Sequence, residues 1–255
     1  MSERLRKTER QERILLELRL RSHLRIADLA EGFGVATETI RRDVAELEAA
    51  GRLNRAFGGV TGMAADGVPD VETRNRARKD ERERIARRAL QLVRPGDTIM
   101  IDAGSTTQQL ARALAFAGIR VTVITNSLNV ALILGQGADV TVRVCPGDLL
   151  PGEAAVTGTD TIDYLRRFNA ATAFVGASAV GPRGVTEAVP GFAAVKRAMH
   201  AQSDALVVLA DASKFGMTHS DTVAALSAGV TLVTSDWPAP DTLAGMRAGG
   251  ATILV

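Results

Sequence analysis

The chain has 255 residues, of which 46% are hydrophobic and 24% charged, and its formal net charge is +2. That length accommodates one small and one larger domain, and the composition is that of a soluble globular protein rather than a disordered or fibrous one. The small net charge does not argue for a nucleic-acid partner by itself, 4% aromatic residues argue against a reader that stacks single-stranded bases, and no apolar run reaches the roughly 20 residues of a membrane-spanning helix.

The start, Met1 to Lys7, leads into a charged helix rather than an apolar signal segment, so a cytoplasmic protein is expected, nucleoid-associated when bound to DNA. Residues 26–31 predict a short helix, and Gly32 to Val35 a tight turn into a second helix over 36–47. In that second helix Ile40, Val44 and Leu47 recur at helical spacing and face a core. Thr37, Thr39, Arg41 and Arg42 then lie toward its N-terminal end and outer surface. Helix, glycine turn and helix with exposed arginines is the helix-turn-helix arrangement, whose second helix enters a major groove. The alternative is a helical hairpin whose arginines are merely solvated. Ala36 offers no capping oxygen, so Thr37 is expected to take over the cap and start the first turn one residue late. Gly51 predicts the C-cap. Beyond it, Leu53 to Ala56 and the run after Gly58-Gly59 predict a two-stranded wing, with Arg55 placed to meet a phosphate.

This first domain covers 1–61. Residues 62–71 are small and aperiodic and read as a linker, and a second domain covers 72–255. Between Glu72 and Arg94 nine basic residues face only Glu72, Asp80, Glu81 and Glu83. They either extend a phosphate-facing surface or form a solvated helix face with i,i+4 pairs. From Asp80 onward helices and strands alternate. Helices are expected over 80–93, 106–116, 127–135, 159–168, 193–202 and 241–247. Strands are expected over 98–102, 120–125, 139–145, 171–176, 205–210, 230–234 and 251–255. Strands apolar on both faces and separated by helices imply a mainly parallel α/β sheet covered on two sides. Cys145, the single cysteine, excludes an internal disulfide and a cysteine-based zinc site, and its apolar surroundings predict a buried thiol.

Ligands of such sheets gather beyond the carboxyl ends of strands. Asp102-Ala103-Gly104-Ser105-Thr106-Thr107 runs from a strand directly into a helix, where Gly104 permits close approach and Ser105, Thr106 and Thr107 supply donors at a helix N-terminus. Asp102 would repel a phosphate and instead accepts bonds from sugar hydroxyls. Thr125-Asn126-Ser127 repeats the pattern at a second strand end. Either cluster alone could be a helix cap. Asp211-Ala212-Ser213-Lys214 adds a third strand end, with Lys214 to neutralise a phosphate and Asp211 to hold a hydroxyl or orient the lysine. Lys196 and Glu187 are further candidates, each of which could be a surface charge.

The run from Arg10 to Val60, with Thr39-Ile40-Arg41-Arg42-Asp43 and Arg55-Ala56-Phe57-Gly58-Gly59, resembles the amino-terminal winged helix of the DeoR-type repressors. Asp102 to Thr106, Thr125 to Ser127, Val195-Lys196-Arg197-Ala198-Met199 and Asp211 to Gly216 resemble that family's carboxyl-terminal sensor domain. The resemblance implies an α winged helix-turn-helix joined to an α/β sensor with a ribose-5-phosphate-isomerase-like fold. It implies double-stranded operator DNA as partner and regulation by a phosphorylated sugar or polyol; paired half-sites then call for a homodimer or higher homo-oligomer, and no cofactor or metal is expected. Three departures stand out: Ala36 where the family places Ser, Phe192 where many members carry Glu, and no arginine in Pro146 to Pro151. The last two are expected near the effector pocket. Thr125 to Ala131 and Asp236 to Pro240 look most like glycerol-3-phosphate repressors. The leading function is thus a ligand-released repressor of carbohydrate or polyol genes. The rivals are a sugar-phosphate isomerase carrying a DNA-binding appendage, and a constitutive DNA-binding protein whose pocket has decayed. No nucleophile elbow, Walker loop or histidine cluster supports the enzyme.

Overall fold

Ile14, Leu18, Leu24, Leu29, Ile40, Val44, Leu47, Leu53 and Val60 come together as one buried cluster, and their spacing dictates the elements around it. The computed structural model describes residues 6–20, 23–56, 59–62, 71, 74, 78–150, 152–181 and 183–255, and the chain divides into two units, Met1–Ala77 and Arg78–Val255. Apart from Gly62 and Val71, the expected linker lies outside the described residues. The first unit runs α1 (Lys7–Leu20), β1 (His23–Arg25), α2 (Ile26–Gly32), α3 (Thr37–Ala49), β2 (Leu53–Ala56) and β3 (Gly59–Gly62). The strands form an antiparallel sheet in the order β1-β3-β2, which makes the unit a winged helix. β1 was not expected, because three residues are too few to show a period.

Two glycines end the helices of the motif. Gly34 and Gly51 adopt φ of +62° and +65°. After α2 the Val35 N–H reaches Ala30 O and the Gly34 N–H reaches Glu31 O; after α3 the Arg52 and Gly51 N–H groups reach Leu47 and Glu48 in the same way. These paired bonds satisfy the last carbonyls of each helix and need a left-handed residue, which glycine supplies without strain. At the front of α3 the expectation for Thr37 is corrected. Ala36 itself is the cap residue, with no side-chain bond, and Thr37 is already helical. The second turn of the helix is held from below. Asp43, 2% exposed, takes the Arg10 guanidinium of α1 through Nε at 2.5 Å and Nη2 at 3.2 Å.

The second unit runs α4 (Lys79–Leu90), β4 (Thr98–Ile101), α5 (Ser105–Ala115), β5 (Val121–Thr125), α6 (Leu128–Leu134), β6 (Val140–Val144), β7 (Asp148–Leu150), β8 (Ala155–Thr157), α7 (Thr159–Leu165) and β9 (Ala170–Gly176). It continues with β10 (Ala179–Gly181), β11 (Gly184–Glu187), α8 (Pro190–Ala201), β12 (Ser203–Ala210), a 3-10 turn (Ala212–Lys214), β13 (Asp221–Ala224), β14 (Val230–Thr234), α9 (Pro240–Ala248) and β15 (Thr252–Leu254). A seven-stranded sheet in the order β15-β14-β12-β9-β4-β5-β6 is parallel throughout. Along β4, Ile99 and Ile101 join the α4–α5–α6 core while Met100 joins the opposite core; on β9, Phe174 opposes Ala173 and Val175 in the same way. Both faces are therefore dry, which is what apolar strands without polar alternation require. The sequence missed the β7-β8 hairpin and the antiparallel sheet β10-β11-β13, whose strands are three or four residues long. Cys145 is buried as expected, and burial pushes its thiol up to about 12.

The buried Arg10–Asp43 pair should matter more than its exposed neighbour Lys7–Glu46, whose 2.6 Å contact is open to water. Asp43→Ala removes the counter-charge of a buried guanidinium and should destabilise the winged-helix unit by about 3–5 kcal/mol. Glu46→Ala should leave it nearly unchanged. Urea unfolding of the full chain, followed by helix signal, distinguishes the two.

Candidate DNA-binding and effector sites

On α3 the buried face is Ile40, Asp43, Val44 and Leu47, so the opposite face is turned to solvent. Arg41 and Arg42 have side chains 63% and 79% exposed; Glu38 lies 3.5 Å from Arg41 and 4.0 Å from Arg42. Thr37 is exposed and Thr39 half-buried. These four residues share the first turns of one helix whose register is locked by the core and by Arg10–Asp43. Arg55 lies on β2 opposite Val60 of β3, and its side chain falls outside the described residues.

In the second unit the chain order along the sheet reverses at β4. From there it winds outward to β5 and β6, then returns to β9 on the other side of β4 and continues to β12, β14 and β15. The carboxyl ends of β4 and β9 therefore flank a topological switch point, the usual ligand position of open α/β sheets. Asp102, 1% exposed, sits there. Its backbone N–H donates to Phe174 O at 3.1 Å, and both its carboxylate oxygens accept from the Gly176 N–H at 3.1 Å.

Lys196 of α8 closes this corner. Its Nζ lies 3.4 Å from Asp102 and donates to Glu187, which also accepts from the Ser178 hydroxyl and, at 2.9 Å, from the Ala188 N–H. Neither Lys196 nor Glu187 is a surface charge: each is 3% exposed. Burial raises the Asp102 carboxyl to about 6, with Lys196 and the Gly176 N–H opposing the rise. Burial acts the same way on Glu187, but Lys196 and Ser178 outweigh it and hold that carboxyl below its usual range. Burial alone would lower Lys196; the two carboxylates reverse this and raise it. Phe192 packs with Ala103 and Ala155, and its ring centre is 5.9 Å from Lys196 Nζ. The Phe192 departure thus falls beside this charge cluster.

The remaining candidates divide into caps and open groups. Thr107 is fully buried and spends its hydroxyl on Asp102 O and Gly104 O, both at 3.0 Å. Ser127 caps α6 through the Val130 N–H at 3.2 Å, and Thr125 accepts from the Ser127 N–H at 3.0 Å. Ser105 and Thr106, each 7% exposed, begin the eleven-residue α5, and Gly104 precedes them in extended backbone. Asn126 follows β5 as Asp102 follows β4, strands that end on the partnered pair Ile101 and Thr125. Its Nδ2 donates to Val156 O at 2.9 Å, which fixes the amide orientation, and its buried Oδ1 has no hydrogen-bond partner among the described residues. A buried acceptor of this kind is open to a donor such as a water or a ligand hydroxyl.

At the β12 end, Asp211 accepts from the Ser213 N–H at 3.1 Å, from the Ser213 hydroxyl, and from Arg82 Nη2 of α4 at 3.2 Å. Burial raises its carboxyl, but Ser213, Arg82 and Lys214 prevail and hold it low. Lys214, half-buried, ends the 3-10 turn. Sequence reasoning placed Arg82 only in a basic run. It shares the buried face of α4 with Ile85, Ala86 and Ala89, and that i, i+3, i+4, i+7 spacing was the available signal. Elsewhere α4 is a solvated face with pairs such as Arg78–Glu81 at 2.9 Å and Lys79–Glu83 at 3.6 Å.

The Lys196 cluster yields a pH-dependent expectation. In Lys196→Met the two carboxyls lose their shared cation, and both folded pKa values rise above the unfolded ones. Stability tied to a raised carboxyl is present below the unfolded pKa and is lost as pH rises through the folded value. The variant should therefore lose about 3–5 kcal/mol at pH 8 and clearly less at pH 5. Urea titrations at both values read this directly, and an equal loss would mean that the lysine acts by packing alone.

A family model for the DeoR-like helix-turn-helix domain matches residues 10–64, and one for the DeoR C terminal sensor domain matches residues 77–236. The putative aga operon transcriptional repressor of Escherichia coli O157:H7 is 27% identical over 97% of this chain and 93% of its own length. The glycerol-3-phosphate regulon repressor of Escherichia coli K12 is 28% identical over 92% and 93%, and the transcriptional repressor AccR of Agrobacterium fabrum 31% identical over 81% of each. Among solved structures, ribose 5-phosphate isomerase A from Neisseria gonorrhoeae is similar at 21% identity and a TM-score of 0.41 over 55% of this chain and 54% of that one. With a winged helix presenting arginines, a parallel-sheet second unit and matches across both, the chain belongs to the DeoR family of DNA-binding transcriptional regulators.

Proposed function

We propose that this regulator represses carbohydrate or polyol catabolism genes and releases its operator when a phosphorylated sugar or polyol occupies the switch point of the second unit. The orphaned Asn126 Oδ1 beside Asp102 carries the effector reading, because it needs a donor that a ligand hydroxyl or amine supplies. The phosphate takes the N-terminus of α5, where Ser105, Thr106 and the first-turn N–H groups favour an anion, together with Lys214. β4 and β12 are two strand spacings apart, roughly 10 Å, which a small sugar phosphate bridges. Gly104, Thr107, Thr125, Ser127, Lys196 and Asp211 complete the proposed effector site. Glycerol-3-phosphate is the first candidate, in keeping with the relative that regulates the glycerol-3-phosphate regulon.

On the DNA side Thr37, Thr39, Arg41 and Arg42 meet base edges or phosphates, and Arg55 holds the backbone. Paired operator half-sites need paired readers, so the working form is a homodimer or higher homo-oligomer, cytoplasmic and nucleoid-associated when bound. No helix among the described residues is long and apolar enough to cross a membrane. Catalysis is not part of the reading. Asp102 and Glu187 are committed to Lys196 in a nearly water-free corner, and the chain should not turn over a sugar phosphate that it binds.

Fluorescence anisotropy on DNA from the gene's own upstream region, titrated with phosphorylated metabolites from glycerol-3-phosphate onward, tests the whole reading. Release by one compound supports it; specific binding indifferent to the panel would favour a decayed pocket. Arg41→Ala should weaken operator binding by about 1–3 kcal/mol if it meets a base edge, or lower the salt slope by about 0.9 if it meets a phosphate. Effector binding should stay intact in either case. Lys214→Ala should weaken the phosphate ligand roughly tenfold and leave operator affinity near normal. Crossed outcomes would show that the two functions have been misplaced.

A further inference from the structure

A continuous set of bonds leads from the Lys214 turn to the point where the two units of the chain divide. The Ala212 N–H donates to Ser235 Oγ at 3.2 Å, and Ser235 Oγ donates to Glu81 Oε2 at 2.9 Å. The other oxygen of Glu81 holds Arg78 Nη1 at 2.9 Å. Arg82, one residue on, is buried against Asp211, the residue that precedes Ala212. Arg78 is the first residue of the second unit and the cap of α4, and it adopts φ 49°, ψ 37°. A non-glycine residue pays for that left-handed conformation, which persists only where its surroundings hold it.

We propose that this chain of contacts, Ala212–Ser235–Glu81–Arg78 braced by Asp211–Arg82, is the route by which occupancy of the Lys214 turn reaches the interdomain junction. The inference rests on the effector reading above. A ligand phosphate drawn to Lys214 moves the 212–214 turn; Ser235 and Glu81 pass that displacement to the first turn of α4. Arg78 then changes its left-handed backbone, and with it the direction in which the chain leaves toward the DNA-binding unit. Ser235 and Glu81 are positioning residues. They need touch neither ligand, and they set how strongly one ligand feels the other.

The test uses the full chain, operator DNA and glycerol-3-phosphate as probe. The ratio of operator Kd with and without probe gives the coupling factor, typically about 5- to 150-fold for allosteric coupling. Ser235→Ala and Glu81→Gln should each keep the Kd for probe and for operator, measured separately, within about twofold of the parent, because neither residue touches a ligand. The coupling factor should fall to about 1, and equally when probe affinity is measured with and without operator. An unchanged factor in both variants overturns the proposal. If calorimetry shows no probe binding to the parent, the choice of effector has failed, and amide exchange decides the route by itself. Ser235→Ala should then accelerate exchange at Ala212 and at Arg82 and Glu83 together. Acceleration confined to Ala212 would show that the turn and α4 are not linked, and would overturn the route whatever the ligand.

Discussion

Lysine 196, taken out of water between Asp102 and Glu187, is the interaction around which the second unit is arranged. Removing an ion from water costs several kcal/mol even after relaxation, so the lysine stays charged only where two carboxylates meet it. Those carboxylates come from different elements: Asp102 follows β4, Glu187 ends β11 and Lys196 lies in α8. The Gly176 N–H at the end of β9 and the Ser178 hydroxyl complete the shell. The switch point, the small antiparallel sheet and α8 must therefore assemble together or leave a charge stranded. The floor also carries one net negative charge. On the proposed reading, that charge turns a phosphate away toward α5 and Lys214 and leaves the hydroxyl end of the ligand to Asp102 and Asn126.

The parts of the fold that repeat were legible in the chain, and the parts that pair were not. Val, Ile and Leu runs between helices announced the parallel sheet, because burial on both faces removes polar alternation. Gly34 and Gly51 announced the helix ends. The strands that escaped notice, His23–Arg25, Asp148–Leu150, Ala155–Thr157, Ala179–Gly181, Gly184–Glu187 and Asp221–Ala224, are too short to show a period. They owe their existence to partners. Glycine 184, at φ +99° with the Ala224 carbonyl 2.2 Å from where a Cβ would stand, makes the point: only its neighbour strand explains it.

The candidate residues follow the same division. Strand-end clusters at Asp102, Asn126 and Asp211 were visible because a polar group after an apolar strand is a local signal. What each does was not local. Thr107 and Ser127 proved to have their hydroxyls engaged in helix-start bonds, and Asn126 kept an acceptor without a partner among the described residues; nothing in the residue types separates these outcomes. Arg82 finds Asp211 across 129 residues of chain, and Arg10 finds Asp43 across 33. A charge that will be buried looks in sequence like a charge that will be solvated, unless it interrupts an apolar stripe, as Arg82 does on α4.

The two ends of this regulator use charge in opposite ways. Arg41 and Arg42 stand in water, where charge interactions are weak and screened beyond about 10 Å at 0.1 M salt. Asp102, Glu187, Lys196, Arg82 and Asp211 stand almost wholly out of water, where salt scarcely reaches and each group is strong but committed to its partner. Affinity for an operator can then drift with ionic conditions while the geometry of the sensor stays fixed. The exposed charges suit a surface that must let go, and the buried ones suit a frame against which a small displacement still registers. Arg78, where one regime gives way to the other, has its guanidinium half in water and its backbone in a conformation that must be held. On the proposed route, the backbone state of this junction is what the buried frame decides.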